Sequence, residues 1–201
     1  MTLEILDRFI SVFGKNVYVQ EAGDPESPVI LFLHGASFTS QTWKEIGSLE
    51  FFAMHEYRPV ALDLPSYGRS SRILGHRNEF LVEFLNSIGI AKTVIISPSM
   101  SGNYSLPFLV KYPDKLLGYV PVAPVGIQKY ATQLRGLDVP TLALWGESDR
   151  IIPNSQADIF IQQMKNARKV ILKNAGHACY MKATDEFHQQ VLDFLKQIEM
   201  K

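Results

Sequence analysis

Six short apolar runs recur along the chain, each closed by turn residues and separated from the next by segments with helical spacing, and this alternation restricts the fold more than any other feature. The runs are Pro28 to Leu33, Arg58 to Asp63, Lys92 to Ser97, Leu117 to Ala123, Pro140 to Trp145 and Arg168 to Lys173. Their near-continuous apolarity predicts strands buried on both faces of a mostly parallel sheet. Ahead of them, Asp7 to Val12 and Asn16 to Gln20 flank the turn Phe13-Gly14-Lys15 and read as an antiparallel hairpin at the sheet edge. The expected class is α/β, with about eight strands and helices on both faces.

The intervening segments supply those helices. Thr39 or Ser40 is placed to cap a helix carrying Trp43, Ile46, Leu49 and Phe52, and Phe80, Phe84 and Ile88 repeat at fourfold spacing on another. Thr184 is placed to cap a last helix with Phe187, Val191, Phe194, Leu195 and Ile198 turned inward. Such stripes form core and need no cofactor to explain them. Gly126 to Asp138 is all that separates the strand ending near Val125 from the one starting at Pro140, which leaves no room for a cap domain. Residues 1–201 are therefore expected to form one domain with an open site, long enough to bury roughly 70% of the surface its unfolded form exposes.

Charge and cysteine content narrow the function classes. Lys+Arg and Asp+Glu number 20 each, so no global basic field exists for nucleic acid or an anionic membrane. Cys179 is the single cysteine, which suits a reducing compartment and excludes a disulfide within the chain. The first residues, Met-Thr-Leu-Glu-Ile-Leu-Asp-Arg, lack the charge pattern of a secretory peptide, and no apolar run approaches a membrane span. The expected location is the cytoplasm, with the nucleus as a second compartment. Neither a metal site nor a resident cofactor is expected.

Ser97-Pro98-Ser99-Met100-Ser101-Gly102 lies where an apolar strand ends and a helix should begin, the position of a nucleophile elbow with Ser99 at its tip. Pro98 keeps Ser97 extended, so the strand runs up to the turn and Ser99 projects above the strand ends. The usual G-x-S-x-G pattern has glycine two residues either side of the nucleophile, because those positions approach across the turn; here both are serine. Pro107 inside the following helix predicts a kink or an early break.

A serine hydroxyl is a poor nucleophile until an imidazole takes its proton and a carboxylate orients the ring. Of the five histidines, His177 follows a late strand in Asn174-Ala-Gly-His-Ala-Cys179, and Asp149 follows the preceding strand in Trp145-Gly-Glu-Ser-Asp-Arg150. Glu147 competes with Asp149 as the acid. In Leu33-His34-Gly35-Ala36-Ser37 the glycine turn can aim the Ala36 N–H at an oxygen above Ser99, with the Met100 N–H as second oxyanion donor. His34 is read as bracing its loop, His55, His76 and His188 as solvated, Asp63 as holding the turn after its strand, and Cys179 as no nucleophile. Arg69, Arg72, Arg77 and Lys129 are candidates for phosphate contact or plain solvated surface.

Together the His-Gly loop, Asp63-Leu-Pro-Ser-Tyr-Gly-Arg-Ser70, the elbow, and the Gly-x-x-Asp and Gly-His segments resemble the α/β-hydrolase superfamily. More narrowly, Ser97 to Leu109, Gly118 to Pro124 and Ala175 to Tyr180 are similar to the α/β-hydrolase domain-containing protein 14 family over nearly the whole chain. That family shares the serines beside the nucleophile, the helical proline and the cysteine after the base. The resemblance implies a cap-less hydrolase with a Ser-Asp-His triad on Ser99, Asp149 and His177. It also implies a serine esterase, deacylase or acyltransferase acting on short, acetyl-like acyl groups of esters or protein lysines, including lysine deacetylation with coenzyme A as acceptor. Ser66, where glycine often follows Asp-Leu-Pro, and the short segment between Ser70 and Asn86 depart from the superfamily pattern. The expected partner is a small acyl ester or acylated lysine, a protein partner is left open, and no nucleic acid or membrane is expected. The alternative from another class is a ligand- or protein-binding module on a hydrolase fold with an inert triad.

Overall fold

In the computed structural model, which describes residues 4–198, strands β1 (Leu6–Val12) and β2 (Lys15–Glu21) form the expected hairpin. Val12 faces Lys15, leaving a two-residue turn in which Phe13 and Gly14 have φ of 50° and 69°. That mirror-image geometry matches the right-handed twist of the strands it joins.

All six apolar runs become strands, each within one residue of its expected ends: β3 (Val29–Phe32), β4 (Arg58–Leu62), β5 (Thr93–Pro98), β6 (Leu116–Val122), β7 (Thr141–Gly146) and β8 (Ala167–Leu172). One eight-stranded sheet results, in the order β1-β2-β4-β3-β5-β6-β7-β8. From β4 to β8 the strands are parallel, and β2 joins β4 antiparallel. Burial on both faces holds for β3, β5 and β7 but not for the edge strand β8, where Lys169 is exposed and Arg168, Val170 and Ile171 are only partly covered.

Alternate residues of a strand feed opposite faces of the sheet. Leu31 and Ile95 pack with helices α3 (Phe80–Ser87), α4 (Gly102–Lys111) and α6 (Ala157–Gln163). Ile30, Phe32, Val94 and Ile96 pack with α1 (Gln41–Glu45), α2 (Ser48–Met54) and α8 (Thr184–Gln197), which follows the four-residue α7 (Cys179–Lys182). Phe32, Phe52, Phe84, Phe108 and Phe187 are fully buried, each worth roughly 1.5–3 kcal/mol in area removed from water.

Three local expectations are corrected. The helix from Thr39 or Ser40 to Phe52 is two helices, because Gly47 adopts φ 73° and ends the first. Ser40 does not cap it; its hydroxyl and N–H both donate to Asp63 Oδ1, at 2.7 and 2.8 Å. Thr184 is the first residue of α8 rather than its cap, and its hydroxyl donates back to the Met181 carbonyl at 3.1 Å. Helix α4 runs unbroken through Pro107 to Lys111.

Between β6 and β7 the chain carries only the four-residue α5 (Ile127–Tyr130), so among the described residues no inserted domain follows β6. Among the described residues no helix is long and apolar enough to cross a membrane. After β3 the chain moves to β4 on one side and then to β5 on the other, so β3 and β5 flank the point where strand order reverses. Loops leaving the two strands diverge there, and ligands of open α/β sheets bind in the resulting crevice.

Candidate active site

Pro98 ends β5 in extended geometry, with φ −87° and ψ 140°, and Ser99 then turns sharply with φ 49°. A non-glycine residue is costly in that left-handed region and stays there only when its surroundings hold it. Two contacts do so. Val125 N–H donates to the Ser99 carbonyl at 2.9 Å, and the start of α4 presses against the same segment, where a Cβ on Gly102 would stand 2.5 Å from the Val125 carbonyl oxygen.

The serines beside the nucleophile position have partners that sequence reading missed. Ser97 Oγ lies 2.8 Å from Ser101 Oγ and 2.6 Å from Ser105 Oγ, and Ser105 Oγ lies 2.8 Å from the Tyr119 hydroxyl. Ser101 Oγ donates to the Pro98 carbonyl at 2.7 Å. All four residues are buried, and burial holds the Tyr119 phenol well above its ordinary range and so neutral. Where glycines would let the elbow close by contact, here it closes through hydrogen bonds. The fourfold spacing of Ser101 and Ser105 on one helix face was the available signal.

His177 and Asp149 meet Ser99 through two loops that touch backbone to backbone. Gly146 ends β7 against the Ala175 and Gly176 carbonyls, with no room for a side chain, and Ser148 N–H donates to the Ala175 carbonyl at 2.9 Å. His177 Nε2 then lies 2.9 Å from Ser99 Oγ, and its Nδ1 lies 2.8 Å from Asp149 Oδ2. The Asp149 side chain is fully buried, and its Oδ1 accepts the N–H groups of Ile151 and Ile152, each at 2.9 Å. An ionised carboxylate only accepts, so Nδ1 carries the ring proton and Nε2 is free to take one from Ser99. Glu147 is turned elsewhere, accepting the Asn174 N–H at 3.2 Å.

Gly35 brings the loop after β3 against the same spot, where a Cβ would lie 3.7 Å from Ser99 Cβ. Among the described residues no backbone carbonyl takes the Ala36 N–H. His34 braces this loop: its Nδ1 donates to the Gly35 carbonyl at 2.8 Å and its Nε2 accepts the Leu64 N–H at 2.9 Å. Burial pushes the His34 imidazole below its ordinary value, which keeps Nε2 an acceptor. Asp63 reaches further than its own turn, joining the loop after β3 through Ser40 to its own loop through the Arg69 N–H at 2.8 Å.

The remaining candidates disperse. Cys179 is buried with its thiol pushed up to about 12, so it stays protonated. His76 is exposed and stacked on Phe13, and His55 is partly covered with Nδ1 on the Phe51 carbonyl. His188 is not solvated: it is buried between α8 and α2, stacked on Phe51, with Nε2 2.8 Å from Ser48 Oγ. The signal was its position three residues before Val191 and seven before Leu195 on the inward face of α8. Arg69 lies over the Phe9 and Tyr18 rings and Lys129 over Tyr130, whereas Arg72 and Arg77 line a cleft of about 650 Å³ that reaches Met100. Ser66, also on that cleft, has φ 72°, which explains why glycine is common at this position.

Residues 118–201 match the family Abhydrolase_4, described as TAP-like protein. ABHD14B of Rattus norvegicus, named as a candidate protein-lysine deacylase, is 36% identical over 98% of this chain and 98% of its own length. Protein ABHD14A of Danio rerio is 40% identical, over 93% of this chain and 72% of that protein. Among solved structures, a CIB-like hydrolase from Thermoplasma acidophilum has a TM-score of 0.92 at 26% identity, covering 97% of this chain and 99% of that one.

Proposed function

Since the chain belongs to the ABHD14 family of α/β-hydrolases, we propose that it is a serine hydrolase or acyltransferase that removes short, acetyl-like acyl groups from esters or lysine amides through an acyl-enzyme on Ser99. One observation carries the reading: the unbroken hydrogen-bond chain Asp149–His177–Ser99, with steps of 2.8 and 2.9 Å, ending on a serine held at φ 49° at an uncapped sheet end. The printed name of ABHD14B supports acylated lysine as the substrate class.

In the first half-reaction His177 Nε2 accepts the Ser99 proton as Oγ bonds to the acyl carbon. The oxyanion so formed is held by the N–H groups of Ala36 and Met100, donors worth roughly 3 kcal/mol each in comparable sites. The tetrahedral species collapses, the bond to the leaving oxygen or nitrogen breaks, and His177 returns the proton to it. In the second half water, or the thiol of coenzyme A as a co-substrate, gives its proton to His177 and bonds to the acyl carbon, the bond from that carbon to Ser99 Oγ breaks, and His177 returns the proton to Ser99. Asp149 stays ionised throughout and stabilises the imidazolium.

The test is labelling by a serine-directed fluorophosphonate, with turnover of a short-chain ester measured alongside and the products analysed by mass spectrometry with and without coenzyme A. Wild type should label and Ser99→Ala should not, and Ser99→Ala or His177→Ala should lower turnover about 10⁴-fold or more. Equal behaviour of wild type and Ser99→Ala would sink the proposal and favour a binding module.

A further inference from the structure

The cleft beside Met100 has a composition that the acyl-transfer chemistry does not require. Its lining combines apolar and aromatic side chains, among them Tyr67 and Tyr104, with Arg72 and Arg77, and His76 falls between the two arginines in sequence. No Asp or Glu lines it, although the whole chain is balanced at 20 acidic and 20 basic residues. Among the described residues neither guanidinium makes an ion pair; Arg77 lies over the Tyr104 ring, 5.6 Å from its centre. The cleft is joined to the reacting centre at two points. Met100 follows Ser99 directly, and the Tyr67 ring packs edge-on against His34, 5.0 Å away, in the loop that carries Ala36.

Resting on the proposal that Ser99 is acylated, we infer that this cleft selects acyl groups that end in a carboxylate, of the succinyl or glutaryl type. A short methylene chain extending from Ser99 past Met100 would enter the cleft beside its aromatic residues, and its terminal carboxylate would meet the two guanidinium groups. Arginine presents a planar fork that matches a carboxylate, and a charge-assisted pair of this kind is about twice as strong as a neutral hydrogen bond. The chemical step is unchanged: the acyl C–N or C–O bond breaks, water supplies the new C–O bond, and the dicarboxylic acid leaves.

The experiment compares two acyl chains of equal length, butyryl and succinyl, each as its methyl ester and as the ε-amide of lysine in one neutral peptide. Acid release, and acyl transfer in parallel reactions with coenzyme A added, are read by NMR for wild type, Ser99→Ala and the double variant Arg72→Gln/Arg77→Gln. The wild-type kcat/KM ratio of succinyl over butyryl should be about tenfold or more, and the double variant should lower it at least tenfold. Because the readout is a ratio within one protein, partial misfolding of the variant does not mimic the effect. A wild-type ratio near one, or an unchanged ratio in the double variant, overturns the inference while leaving Ser99 as nucleophile. A double variant impaired only in transfer to coenzyme A also overturns it, since the arginines would then serve the acceptor. Equal turnover by wild type and Ser99→Ala overturns the parent proposal instead.

Discussion

His188 makes the fold acid-sensitive at a point remote from the candidate active site. The ring is wedged between Phe51, Phe52 and Phe187 with its Nε2 on Ser48, and burial drives its pKa from 6.5 down to about 4, with Asp185 pulling weakly the other way. The folded protein therefore keeps the ring neutral while the unfolded chain takes a proton at the ordinary value. Stability from this group is complete above about pH 6.5 and is lost as pH falls toward about 4, because in that window the unfolded state binds more protons. A shift from 6.5 to about 4 corresponds to about 3 kcal/mol in full, of which about 2 kcal/mol should be gone between about pH 7 and about pH 5.

The assay is urea denaturation of wild type and His188→Gln at both pH values. His188→Gln retains a polar group that can reach toward Ser48 but cannot titrate in this range. Wild type should lose about 2 kcal/mol more than His188→Gln on acidification, whatever the variant's stability at neutral pH. A difference in acid loss below about 0.5 kcal/mol would show that the ring is accessible or already charged in the folded protein, and the argument would fail.

Three other outcomes follow from local geometry. Ser99→Gly should abolish fluorophosphonate labelling yet raise stability by up to about 1 kcal/mol in urea denaturation, since glycine occupies φ 49° without the Cβ penalty. Gly68→Ala should destabilise by roughly 2–3 kcal/mol, because the position has φ 49° and its Cβ would overlap the Asp63 carboxylate; a midpoint within error of wild type would refute this. Tyr119→Phe should cost about 1–2 kcal/mol through the lost bond to Ser105 and should slow labelling of Ser99, whereas an unchanged labelling rate would separate the hydroxyl network from the elbow.

The strands were legible because a buried parallel strand is written as a local apolar run, and each of the six fell within one residue of its place. Ser99, His177 and Asp149 were legible for the same reason, each following a recognisable strand, and the structure brings their side chains into one hydrogen-bonded chain. What escaped was decided by tertiary partners. Ser40 is a good capping residue by type, but Asp63, 23 positions away, offers a buried carboxylate that takes both its hydroxyl and its N–H. His188 is polar by type, yet the aromatic residues of α2 surround it. Glu147 and Asp149 were separable only once the loop after β7 was seen to turn one toward Asn174 and the other toward His177.

The serines around the elbow show why the glycine rule misjudged this site. Glycine is preferred two residues either side of a nucleophile because the turn brings those positions together, and a Cβ there normally meets a Cβ. Here the close approach of Ser97 and Ser101 is filled by a 2.8 Å contact between hydroxyls, and each is completed elsewhere, Ser97 by Ser105 and Ser101 by the Pro98 carbonyl. A hydroxyl at either position without those partners would be a buried unsatisfied group costing about 1–3 kcal/mol. The exchange of glycine for serine is thus sound only as a set that includes Ser105 on α4 and Tyr119 on β6, and the set ties the turn at Ser99 to the two elements that flank it. By the same reasoning Ser97→Gly alone, though it restores the commoner residue, removes the centre of the network and leaves Ser105 with Tyr119 as its one remaining side-chain partner.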